Sequence, residues 1–129
     1  MQIQLKINTT NTVNIDNFVY NYLPQYMLNM LDSSVNHRLL KQFEELFNIN
    51  SYYILRLALK QLLITKVNKD TITIKLDKRI RYNTGYMINY VNLITYGNTQ
   101  IKGYPILLKI FKFVSENIED IFNMWLPRG

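Results

Sequence analysis

The sequence predicts an α+β fold that is mainly helical, with four to five helices covering a small sheet of two to three strands. Three observations predict it. Residues 2–8 and 71–76 alternate apolar and polar side chains, the period of a half-buried strand. Residues 16–67 and 105–125 instead repeat apolar side chains every three to four positions, the period of one helix face. Apolar residues make up 48% of a 129-residue chain, which is enough for one core and therefore for a single domain, 1–129.

In the first strand Ile3, Leu5 and Ile7 face one way and Gln2, Gln4, Lys6 and Asn8 the other. The polar run Asn8-Thr9-Thr10-Asn11-Thr12 reads as a loop. Asp16 is a good N-cap, with Ile15 placed as a hydrophobic staple, for a helix that runs to about Leu31. Pro24 falls inside this pattern, so a kink or a restart with Pro24 in the first turn is expected. Asp32-Ser33-Ser34 is the next cap. It precedes a second helix with Val35, Leu39, Leu40, Phe43, Leu46 and Phe47 on one face. Asn48-Ile49-Asn50-Ser51 breaks that helix, and Ser51 can cap a third, roughly 52–67. This third helix is apolar nearly all round and is expected at the centre of the domain.

Asn68-Lys69-Asp70 reads as a turn into the strand Thr71–Leu76, whose Ile72, Ile74 and Leu76 share a face. Ile80 and Tyr82 resume the alternation after Asp77-Lys78, where a tight hairpin would add a strand. Asn83-Thr84-Gly85 is a turn. A short helix Tyr86–Tyr96 follows on Met87, Val91 and Ile94, and Gly97 suits its end. Pro105 is placed to open the last helix, whose face runs from Ile106 and Leu107 to Phe122 and Trp125, and Pro127 stops it.

Several functions lose support at this level. No apolar run approaches the roughly 18–20 residues that span a bilayer, and the densest stretch, 52–67, is broken by Arg56, Lys60, Gln61 and Lys66. No membrane partner is expected. Met1 to Lys6 lacks the basic start and apolar core of a signal peptide, so none is expected. Without cysteine there are no disulfides or thiolate metal sites. His37 is the only histidine, with Lys41 rather than a carboxylate one turn on, so a surface or capping role is expected. Glu44 and Glu45 point about 100° apart on a helix and do not converge. Glu116, Glu119 and Asp120 read as a solvated helix face, with Lys112 an ordinary partner one turn before Glu116. Nucleophile-elbow, phosphate-loop and dinucleotide motifs are missing. The expectation is a protein that is not an enzyme, with no catalytic residue, metal or cofactor.

The net charge of +6 is local. Residues 52–112 hold eleven basic residues against Asp70 and Asp77, a net of +9, while residues 1–51 and 113–129 carry −1 and −2. The dense part is Lys75, Lys78, Arg79 and Arg81 beside Tyr82. These residues can contact phosphates, with Tyr82 stacking on a base. They can equally form a solvated edge, because lysines on an exposed strand discourage edge-to-edge pairing. A third reading is an electropositive protein contact surface.

Thr84-Gly85, then Tyr96-Gly97-Asn98-Thr99, then Gly103-Tyr104-Pro105-Ile106-Leu107 occur in that order. This stretch, about residues 84–124, resembles the C-terminal half of tailed-bacteriophage head–tail joining and tail-completion proteins. An A/T-rich coding bias, seen in abundant Asn, Ile, Tyr and Lys beside a single alanine, Ala58, fits a bacteriophage, a low-GC bacterium or some organelles. The family usually has Asp where this chain has Asn83, and strands where eleven residues here read as helical. The resemblance implies a non-enzymatic virion structural or assembly protein of the neck or tail. Such a protein would be assembled in the host cytoplasm, with other virion proteins as partners and a homo-oligomeric ring as its form. The alternatives are a small basic nucleic-acid-binding protein, or a phage-encoded inhibitor of a host protein.

Overall fold

A computed structural model describes residues 2–6, 15–34, 37–66, 71–82 and 85–126. The chain begins with β1 (Gln2–Lys6), a short turn of helix α1 (Ile15–Asn17), a π turn (Phe18–Tyr22) and α2 (Leu23–Ser34). Helices α3 (His37–Phe47) and α4 (Ser51–Lys60) follow, then β2 (Leu62–Lys66) and β3 (Thr71–Leu76). A ribbon of β4 (Arg81–Tyr82) and β5 (Gly85–Tyr86) leads into α5 (Met87–Tyr96), α6 (Ile106–Glu116) and α7 (Ile118–Trp125). The fold is α+β, as predicted, but six of its helices have eight or more residues rather than four or five.

The sheet is antiparallel in the order β1-β3-β2, with Ile74 paired to Ile3 on one side and to Ile64 on the other. Alternation along β3 buries Ile72, Ile74 and Leu76, and α6 packs against β1. Covering one face is what lets so small a sheet persist. Helix α4 buries Ile54, Leu55, Ala58 and Leu59 and touches α2, α3 and α5, the central place expected of it. Phe18 ties the first helix to the last, with Phe122 edge-on at 5.1 Å and Trp125 at 5.3 Å between ring centroids.

Six expectations need correction. The helix expected over 52–67 stops at Lys60, and Leu62–Lys66 is the third strand. Its β-branched Ile64 and Thr65 are stiff in a helix, and pairing with residues 72–76 supplies the backbone partners a helix would have given. The hairpin expected at Asp77-Lys78 does not form, because both sides of β3 are taken by β1 and β2; Arg81 and Tyr82 pair with Tyr86 and Gly85 instead. The helix expected from Pro105 to Trp125 breaks at Asn117, whose backbone leaves the helical range at φ −120° and ψ 20° while its side-chain amide and its N–H both donate to Phe113 O, at 2.9 and 3.0 Å. Ile15 and Asp16 lie inside α1 rather than before it, and Asp32, Ser33 and Ser34 belong to α2 rather than capping the next helix. Asn50, not Ser51, caps α4: its Oδ1 accepts from Tyr53 N–H at 2.9 Å, and Ser51 is the first, fully buried, helical residue.

Pro24 is the second residue of α2, within the first turn expected for it. The π turn just before it is the adjustment, because proline has no N–H to continue the ladder, and Leu23 N–H reaches back five residues to Phe18 O. Asn48, at φ 53°, ends α3 in the left-handed conformation that asparagine tolerates. The loop expected over 8–12, the turn over 68–70, the turn residues 83 and 84, and the stop at Pro127 lie outside the described residues.

Candidate electropositive surface

The basic residues singled out by sequence sit on three consecutive pieces of backbone: β3, the turn after it and β4. Lys75 is exposed on β3, and β3 is the middle strand of the sheet. It pairs on both sides, so the edge-protecting role considered for this lysine is ruled out. Across the ladder Lys75 faces Leu63, which is half-buried on the same surface. The strand then ends in a turn that leaves Lys78 exposed.

Arg79 is held by Asp77 through a fork of two bonds, Nε to Oδ1 at 3.0 Å and NH2 to Oδ2 at 3.2 Å, and its backbone N–H donates to the same Oδ1. These bonds hold the Asp77 carboxyl below the usual aspartate range, with Lys75 contributing, and raise the Arg79 guanidinium. The charge of Arg79 is thus matched locally. Arg81 sits opposite Tyr86 in the β4–β5 ribbon, with its guanidinium carbon 4.7 Å from the ring centroid.

Tyr82 does not present the open stacking face expected of it. It is half-buried, tilted against Tyr53 at 6.0 Å and edge-on to Tyr90 at 5.5 Å. The exposed aromatic beside the cations is Tyr86, which the sequence reading assigned to the start of a helix. The signal available was the two-residue spacing between Tyr82 and Gly85, which allows a hairpin.

Between the end of β3 and the start of α5 lies a groove of about 430 Å³. Leu63, Leu76 and Ile88 give it apolar walls, and Lys75, Asp77, Lys78 and Arg79 surround them. Elsewhere Arg56 is neutralised: it bonds Asp32 at 2.5 Å and lies over the ring of Tyr52, which also donates its hydroxyl to Asp32. The Tyr52 hydroxyl, then Arg56, hold the Asp32 carboxyl below its usual range.

Glu116, Glu119 and Asp120 are exposed around the α6–α7 break, and the Lys112–Glu116 pair expected from their spacing does not form. Among the described residues no group of three or more metal-ligating side chains could hold a metal ion. The side chain of His37 lies outside the described residues. Among the same residues no helix is long and apolar enough to cross a membrane. The surface can attract and orient anionic groups. No protein-family model matches the chain, and neither a curated protein nor a solved structure does.

Proposed function

We propose that the protein is a non-enzymatic structural or assembly component of a tailed-bacteriophage virion, acting at the neck or tail in head–tail joining or tail completion. The observation that carries this reading is the build of residues 96–107, part of the stretch of about residues 84–124 that carries the resemblance. Gly97 adopts φ 72° and bridges to Lys102, and Tyr104 N–H donates to Ile94 O at 2.6 Å. Pro105 then stands at the head of α6. A glycine turn followed by a proline at the helix start supports the reading.

Deletion of the gene from its phage tests the reading. Unjoined heads and tails in electron micrographs, and the protein among the components of purified wild-type particles, are expected. Intact infectious particles formed without the protein would end this reading.

A further inference from the structure

Charge of opposite sign and without an ion pair stands on two different sets of elements of this chain, the end of β3 and the α6–α7 break. The groove at the end of β3 has two exposed lysines, Lys75 and Lys78, with no ion pair among the described residues. Its walls are apolar, with Leu76 buried and Leu63 and Ile88 half-buried. At the α6–α7 break stand Glu116, Glu119 and Asp120, exposed and also without an ion pair among the described residues. Exposed apolar side chains flank them: Phe113, 42% exposed and one turn before Glu116, and Met124, 55% exposed and one turn after Asp120.

We infer that the groove takes the acidic ridge at the α6–α7 break of a second copy of this chain. The ridge supplies what the groove lacks: carboxylates for Lys75 and Lys78, and apolar side chains for the walls around Leu63, Leu76 and Ile88. A nucleic-acid strand fits the same groove less well. The apolar walls offer nothing to a sugar-phosphate backbone, and the ring of Tyr82 is already packed between Tyr53 and Tyr90. The contact is heterologous, because groove and ridge are different patches of one subunit. Each added copy leaves one groove and one ridge free, so association proceeds past a dimer to a closed ring or an open filament.

The inference rests on the reading of the protein as an assembly component, and the two can fail separately. The test is sedimentation of the full chain at low and high ionic strength, with the variants K75E/K78E and E116K/E119K/D120K alone and mixed. Circular dichroism melting confirms that each is folded. The wild-type chain of 15.4 kDa is expected to give masses that rise with concentration beyond a dimer and fall as salt is added. Each variant alone carries like charge on both surfaces and is expected to stay monomeric. An equimolar mixture is expected to regain assembly, with the two variants alternating.

A wild-type chain that stays monomeric at low salt overturns the contact, and so does a mixture of folded variants that fails to associate. Salt-sensitive binding of a single-stranded oligonucleotide, lost in K75E/K78E, by a chain that does not self-associate would reassign the groove to nucleic acid. Assembly that follows the charge swap in a protein absent from virions would keep the contact and remove the virion role. A monomer found in virions would do the reverse.

Discussion

Replacing Gly97 with alanine tests how the connection between α5 and α6 is built. Gly97 has φ 72° and ψ −163°, a region that essentially only glycine occupies, and holding another residue there costs about 1–3 kcal/mol. Space is refused as well. An added Cβ would lie 2.3 Å from Ile101 O, 2.5 Å from Gly103 N and 2.9 Å from Lys102 C, all backbone atoms rather than the ends of flexible side chains. Relief therefore means moving residues 101–103. That loosens the Asn98 N–H bond to Ile101 O at 3.0 Å and the Gly97–Lys102 bridge. A hydrogen bond contributes about 1 kcal/mol net. The combined loss is about 2–4 kcal/mol, a large part of a typical folding stability.

At about 2.1 cal/mol/K of unfolding entropy per residue, a 129-residue chain loses about 4 °C of melting midpoint per kcal/mol. Gly97→Ala should therefore melt about 7–15 °C lower. Gly85→Ala is the control. Its Cβ would meet only the Tyr90 ring, at 3.3 to 3.6 Å, and its φ is not positive. A tyrosine ring can shift, so a cost under about 1 kcal/mol is expected. Paired thermal and urea unfolding followed by circular dichroism reads both variants. If Gly97→Ala loses no more than Gly85→Ala, the account of this turn is wrong.

Other substitutions probe the helices and the surface ion pairs. Ser51 Oγ is fully buried and has no hydrogen-bond partner, so Ser51→Ala should be neutral or raise stability by up to about 1 kcal/mol in urea unfolding. Asn50→Ala removes the cap of α4 and should lower stability by about 1 kcal/mol in the same assay, the opposite sign one residue away. Leu59→Ala empties a fully buried site at the centre of the helices and should cost about 2–5 kcal/mol by chemical denaturation. Asp32 and Asp77 both titrate below the ordinary aspartate value of 3.8 when folded, so their stabilisation is present above that pH and is lost as pH falls through their lower folded values. Urea midpoints measured against pH should show this acid limb, and Asp32→Asn should make it shallower.

The amphipathic helices were legible because each carries its partner information in its own period. Phe43 in α3, Val91 and Ile94 in α5, and Ile110 and Val114 in α6 are buried where the pattern places them. Residues 62–64 were not legible in the same way. Leu62-Leu63-Ile64 continues the apolar run of α4, and a short apolar run satisfies a helix or a strand equally. What decides between them is β3, about ten residues further on, whose 72–76 backbone pairs with 62–66. Asn117 was misread for the opposite reason. Apolar spacing runs through it without a fault, and only its own amide bond to Phe113 O shows where the helix stops.

The surface divides along the same line. Which residues are cationic was evident from the sequence, because charge belongs to the side chain. Which cations remain available depends on neighbours that local spacing alone did not identify. Asp77 lies two residues from Arg79, close enough to neutralise it once the turn forms. Tyr86 is five residues from Arg81 and comes beneath it only because the β4–β5 ribbon folds back. Arg79 is matched by Asp77 and Arg81 is not among the groove's lining residues, so the groove's unmatched cations are Lys75 and Lys78, both exposed and beside its apolar walls. A pair of cations in that setting selects a partner carrying both carboxylates and apolar side chains. That combination stands at the α6–α7 break, where Glu116, Glu119 and Asp120 lie between Phe113 and Met124.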